Sequence, residues 1–254
     1  MATYKKRGYK PKTQKEKVEV VEEQSTTAEV FNTLDEGASK TEEWVVKNQN
    51  YIIGAIAVIA LVVLAVMGYN KYIAEPQQKE AMNEMYQAKK YFEDAANGVS
   101  SDSLYTMSLN GGEGKFGMLD IINEYGGTQA ANLANYYAGM AYLNLKDYQN
   151  AVTYLSDFSS DDKMLGPIAK GGIGDAFVQL EQPEDALGYY EQAFKANVND
   201  FTTPLYLMKA ARVAMDLDQN TKALEYLTRI KTEFSDSDEA KDIDVLIGKA
   251  EASL

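Results

Sequence analysis

Residues 51–69 read YIIGAIAVIALVVLAVMGY, a run without a charge or a proline. The nearest charged residues are Lys47 and Lys71. An apolar helix needs about 20 residues to cross the hydrocarbon core of a bilayer, and this one is long enough. Helices of soluble domains keep a polar face; this run has none. Trp44, Tyr51, Tyr69 and Tyr72 bracket it as aromatics bracket a lipid–water boundary. A cleaved signal peptide has a shorter apolar core near the N-terminus, whereas this run follows 50 mostly polar residues. The sequence therefore predicts a charged, disordered N-terminal tail over 1–47, a single transmembrane helix over 48–72 and one domain over 77–254.

Charge is divided unevenly along the chain. Residues 1–50 carry nine basic and nine acidic residues, and the remainder carries 16 basic and 29 acidic, which is the whole net charge of −13. An acidic domain does not attract nucleic acid by bulk charge, so no nucleic-acid partner is expected. The chain has no cysteine and no histidine. That removes disulfides, thiol catalysis, zinc sites of the usual kind and Ser–His chemistry. The tail opens with MATYKKRGYKPKTQKEK, with seven basic residues and one acid, then turns acidic over 18–43. Close to the span the count does not favour a cytoplasmic N-terminus, with Lys40 and Lys47 before it and Lys71, Lys79 and Lys89 after it, but the nine basic residues of 1–50 and the shortness of that tail do. A long domain translocates largely regardless of charge, which puts the C-terminal domain on the far side of the membrane.

Three segments of that domain align with one another: NLANYYAGMAYLNLKDYQNAVTYLSDF (132–158), PIAKGGIGDAFVQLEQPEDALGYYEQAF (167–194) and PLYLMKAARVAMDLDQNTKALEYLTRI (204–230). Small anchors fall at Gly139 and Ala151, Gly174 and Ala186, Ala211 and Ala223, always twelve apart, with a period of 35 and then 37 residues. A small residue late in one helix and another early in the next allow close approach of the pair, while Tyr142, Leu155, Phe177, Tyr190 and Leu227 fill the layers. The pattern resembles the tetratricopeptide repeat, a helix–turn–helix unit of about 34 residues. Asn135 stands where the motif has Trp, and Ala214 where an aromatic is usual.

The expected fold is all-α: one transmembrane helix, then a tetratricopeptide repeat solenoid of about four helix pairs and a cap. A degenerate repeat spans 77–130, with helices at 77–96 and 118–125 split by a turn-rich insertion at 97–117. Regular repeats span 132–165, 167–200 and 204–237, and a solvating helix lies within 238–254. In the first helix, Met82, Met85, Tyr86, Ala88, Tyr91 and Phe92 mark the apolar side.

Other motifs fail on chemistry. NGGEGKFG (110–117) has Leu109 where a phosphate loop needs its first Gly, and Phe116 where a hydroxyl would hold magnesium. Asp161-Asp162 and Asp236/Asp238 have no EF-hand register and fall where Asp caps a following helix. No catalytic constellation, metal set, cofactor or small-molecule substrate is expected.

Carrying the motif positions over, the first helix of each repeat lines a groove. Repeat one contributes Leu133, Tyr136, Met140, Leu143 and Asn144. Repeat two contributes Ile168, Gly171, Asp175, Val178 and Gln179, and repeat three Leu205, Met208, Arg212, Met215 and Asp216. The lining is mostly apolar with three methionines, which suits adaptable protein contacts. Packing of the same residues against a neighbouring helix is the competing reading.

A charged tail, one span and a C-terminal tetratricopeptide domain are similar to the YfgM-like family of ancillary SecYEG translocon subunits. The segment MLDIINEYGGTQAANLANYYAGMAYLNL (118–145) most resembles members from Bacteroidota. The resemblance implies a periplasmic repeat domain, a PpiD-like membrane-anchored chaperone as partner, and a role around unfolded or nascent secreted chains leaving the translocon. A scaffold for another envelope machine (outer-membrane biogenesis, secretion or division) and a signalling regulator working through its cytoplasmic tail are the alternatives.

Overall fold

The computed structural model describes residues 26–98 and 101–254. It divides into two units, one ending at Tyr69 and one beginning at Asn70. The first unit is helix α1 (Thr26–Tyr69). Among the described residues it contains the one stretch of helix long and apolar enough to cross a membrane. Ile53, Ile59, Leu61 and Leu64 along it have no protein cover. The helix begins well before the apolar run: residues 26–47, expected as disordered tail, have helical backbone. Residues 1–25 of that tail lie outside the described residues.

The second unit opens with a π-helical segment (Asn70–Ala74) and α2 (Glu75–Ala96), with Pro76 in its first turn, where a missing N–H has no intrahelical partner to lose. There follow α3 (Ser101–Asn110), α4 (Met118–Glu124), α5 (Gln129–Asn144), α6 (Tyr148–Asp157), α7 (Leu165–Gln179), α8 (Pro183–Ala196), α9 (Thr202–Asp216), α10 (Asn220–Glu233), a 3₁₀ turn (Asp238–Ala240) and α11 (Ile243–Glu251). Consecutive helices pack on one another throughout, and α5, α7 and α9 also contact in sequence, which is the layering of a solenoid. Among the described residues there is no strand beyond an isolated bridge between Gly112 and Lys115.

Each regular repeat turns in the same way. Three residues join α5 to α6, α7 to α8 and α9 to α10, and the middle one (Lys146, Glu181 or Asp218) is left-handed at φ 64°, 58° and 57°. Its N–H donates to the carbonyl three residues back, and the next N–H donates to the carbonyl five back, as in Asp147 to Tyr142 and Gln182 to Phe177, both 2.9 Å. This is the Schellman closure, built three times without glycine. Small anchors then set the interhelical approach. A Cβ on Gly139 would come within 2.5 Å of Leu155, and one on Gly174 within 2.6 Å of the Tyr190 ring. Layers are filled by stacked rings at equivalent places, Tyr142 on Tyr154 and Phe177 on Tyr189. In the third repeat Ala214 offers no ring, and Tyr226 packs edge-on against Phe194 of the preceding layer instead.

The N-terminal layer departs from the expectation. Residues 97–117 are not simply a loop: they contain α3, which buries Tyr105, Ser108 and Leu109 and is the main partner of α2. α4, expected to pair with α2, packs chiefly on α5. On α2, Met85, Ala88 and Tyr91 are buried as expected, but Met82 is exposed and Tyr86 is 69% exposed.

Candidate functional site

The stretch from α5 to α9 presents one face made of first helices, and its side chains are positioned by the small-residue packing beneath. Leu133, Met140 and Leu143 of α5 and Ile168 of α7 are half-buried, with Asn144 exposed. Gly171 does not line this face; a Cβ there would run into the ring of Tyr206, so it marks the contact of α7 with α9. Val178 and Gln179 are exposed at the end of α7. On α9, Leu205 and Met215 are half-buried and Arg212 and Asp216 exposed.

Two expected lining residues sit deeper. Tyr136 is buried against Phe158, with ring centroids 5.2 Å apart, and burial raises its hydroxyl above the ordinary tyrosine range. Met208 is only 8% exposed and belongs to the C-terminal core. Motif position alone assigns both to the first-helix face; neighbours from the next loop and layer cover them.

Asp175 is the polar centre of the face. Its carboxylate accepts from Lys209 Nζ at 2.7 and 2.8 Å and from the Tyr190 hydroxyl at 2.7 Å. Lys209 also lies 5.8 Å from the Tyr190 ring centroid and 5.7 Å from that of Tyr206. Burial, and then the Asp175 charge, push the hydroxyls of Tyr190 and Tyr206 well above the usual range, so both remain neutral. The cluster clamps α7, α8 and α9 together, with Asp175 spent on three hydrogen bonds. Lys209 was not among the expected residues. Its signal is an opposite charge 34 residues after Asp175, one repeat along.

The face opens into a depression of about 680 Å³ between α9 and the C-terminal segment. Leu205, Met208, Val245 and Leu246 give it an apolar wall; Arg212, Lys241, Asp238 and Glu239 stand among its charged lining. Val245 is 71% exposed, so α11 covers this end of the face only in part. Among the described residues no group of three or more His, Cys, Asp or Glu could hold a metal ion.

Models of the tetratricopeptide repeat match residues 133–161 and 172–238. A crystal structure of a putative kinesin light chain from Podosopora anserina with nearly identical TPR-like repeats resembles 69% of this chain over 87% of its own, at 14% identity and a TM-score of 0.49. No curated protein matches the chain by sequence.

Proposed function

We propose that this tetratricopeptide-repeat protein is tethered to the inner membrane through residues 51–69 and holds partner proteins on the face built by α5, α7 and α9. The observation that carries this reading is the open depression between α9 and the C-terminal segment, apolar in its wall and mixed in charge at its rim. That lining suits an extended polypeptide better than a small polar metabolite. The groove residues are Leu133, Met140, Leu143, Ile168, Val178, Leu205, Arg212 and Met215, with Tyr136 and Met208 supporting them from below. A span of bare apolar helix supports the tether, since such a surface is unfavourable in water.

The finer reading is an ancillary factor of protein export, with a cytoplasmic N-terminus and a periplasmic repeat domain, working beside SecYEG and a PpiD-like chaperone on unfolded or nascent chains. It is supported by domain order and by the advantage of tethering: confinement raises the effective concentration of a weak groove near its clients. Full-length protein from gently solubilised membranes is expected to bring down translocon components. Met140→Glu with Val245→Glu is expected to lose them at unchanged helical content. Protease outside spheroplasts is expected to digest 70–254. Recovery of one different envelope complex without Sec components would overturn the export reading in favour of a scaffold. Protection of the repeat domain would overturn the orientation.

A further inference from the structure

The edge of the stack formed by the loops between repeats carries two large apolar side chains that pack on little, with Met164, 36% exposed, beside them. Phe201 is 66% exposed and Val198 62%. They belong to one surface, because Asn199 Nδ2 donates to the Lys163 carbonyl at 3.0 Å and ties the two loops together. The loop is not loose. Asn199 Oδ1 accepts from the backbone N–H of Phe201 at 3.0 Å and of Thr202 at 2.7 Å, and the Asn199 N–H donates to Thr203 Oγ1 at 2.9 Å. Thr202 and Thr203 are fully buried. The backbone that could have folded Val198 and Phe201 inward is thus fixed with both held out. A rigid aromatic presented in advance loses little freedom on binding, which is the property of an interface anchor.

The charges around the patch select the partner. Asp161, Asp162 and Asp200 flank the three apolar residues in sequence, against the single base Lys163 beside Met164, and all four are exposed. Beside Phe201 lies a depression of about 240 Å³ lined by Asp200, Glu233, Phe234, Ser235, Asp236 and Ser237. An acidic hollow next to an apolar knob accepts a lysine or arginine head while its neighbour packs on the knob. The same carboxylates repel an anionic lipid surface. We infer that the Met164–Val198–Phe201 edge is a second protein-docking surface, separate from the first-helix face, and that its occupant is a polypeptide segment alternating basic and large apolar residues.

The test uses full-length protein in nanodiscs of neutral lipid and short fluorescent peptides of alternating Lys and Leu, Lys and Ser, or Glu and Leu. The Lys–Leu peptide is expected to bind, the other two at least about tenfold more weakly. Val198→Ser with Phe201→Ser is expected to weaken Lys–Leu binding about tenfold or more, and Asp200→Asn with Asp236→Asn to weaken it and flatten its salt dependence. Both pairs are at the surface, so the thermal midpoint is expected to hold. If the serine pair lowers it, Met164→Ser and the Asn pair remain as readouts. Equal binding of the Lys–Ser peptide would overturn the proposal in favour of bulk charge. Binding that survives all of these changes but is lost in Met140→Glu with Val245→Glu would place the peptide in the first-helix groove and overturn it too. So would crosslinking of a photoreactive residue at position 201 to lipid rather than peptide.

Discussion

Two glycines in neighbouring helices separate the roles this residue plays. Gly174 faces the Tyr190 ring at a distance no Cβ can share, whereas Gly188, exposed in α8, has nothing within 4 Å. Alanine is favoured over glycine in a helix by about 1 kcal/mol. Gly188→Ala is therefore expected to raise stability by about 0.5–1 kcal/mol. Gly174→Ala is expected to lower it by about 1–3 kcal/mol through overpacking. Chemical denaturation of the two variants checks the opposite signs. The small anchors that meet these rings are legible in the sequence as pairs twelve apart. What surrounds a ring is not, which is why Tyr136 and Met208 fall inside rather than on the face. The buried tyrosines also set an alkaline limit. Burial raises the hydroxyls of Tyr190, Tyr206 and Tyr226 above their ordinary value of about 10, with Asp175 adding to the first two and Glu191 to the third. The folded state favours their neutral form. Their contribution is thus complete below pH 10 and lost as pH rises beyond it, because the unfolded chain releases protons that the folded one keeps. The share of phenolate absorbance that belongs to these buried tyrosines, isolated by comparison with Tyr→Phe variants, is expected to appear together with loss of helical circular dichroism rather than before it.

At the scale of single elements, the recurrent turn makes a graded prediction. A left-handed conformation disfavours residues with a Cβ by about 1–2 kcal/mol, and Asp tolerates it better than Lys or Glu. Glycine relieves that strain but adds freedom to the unfolded chain, about 0.4–1 kcal/mol. Lys146→Gly and Glu181→Gly are expected to raise stability by about 0.5–1 kcal/mol, and Asp218→Gly by less, read from thermal midpoints. The hairpins were legible because their apolar spacing repeats. α3 was not: SDSLYTMSLN is rich in residues of middling helix propensity, and it is held by burying Tyr105 and Leu109 against the layer that α2 forms. Phe92 completes that layer, edge-on to both Tyr105 and Tyr137. Helical backbone over 26–47 was only weakly signalled, around Val30–Leu34 and into Trp44, since the composition there is that of a solvated tail.

For the repeat domain as a whole, stability accumulates from nearest neighbours, so its ends are its weak points. α11 buries Ile243 and Ala250 against the last layer, and Asn220 Nδ2 reaches the Ser253 carbonyl at 2.9 Å. Deleting 238–254 uncovers the apolar flank of α9 and α10. It is expected to lower the unfolding midpoint and to promote self-association, seen by scanning calorimetry and light scattering. Hydrogen exchange is expected to be slowest in α7 to α9, which have a layer on both sides, and fastest in α3 and α11. The all-α solenoid and the long apolar helix before it were readable from periodicity and length alone. The clamp of Asp175, Lys209 and Tyr190 was not, because its members belong to three helices and meet only once the layers are stacked.

The identical three-residue turns contrast with the links between repeats, which run to seven residues before α7 and five before α9. Closure within each hairpin is thus set alike on one edge, and the length of chain between hairpins varies on the other. The longer links are held by their own side chains, Asn132 on Ser159 and Asn199 on Lys163 and Phe201, so a change of length there disturbs that edge and leaves the closure of the hairpins alone. The edge that carries Phe201 can be redrawn in sequence while the ruler that measures out the stack stays unchanged.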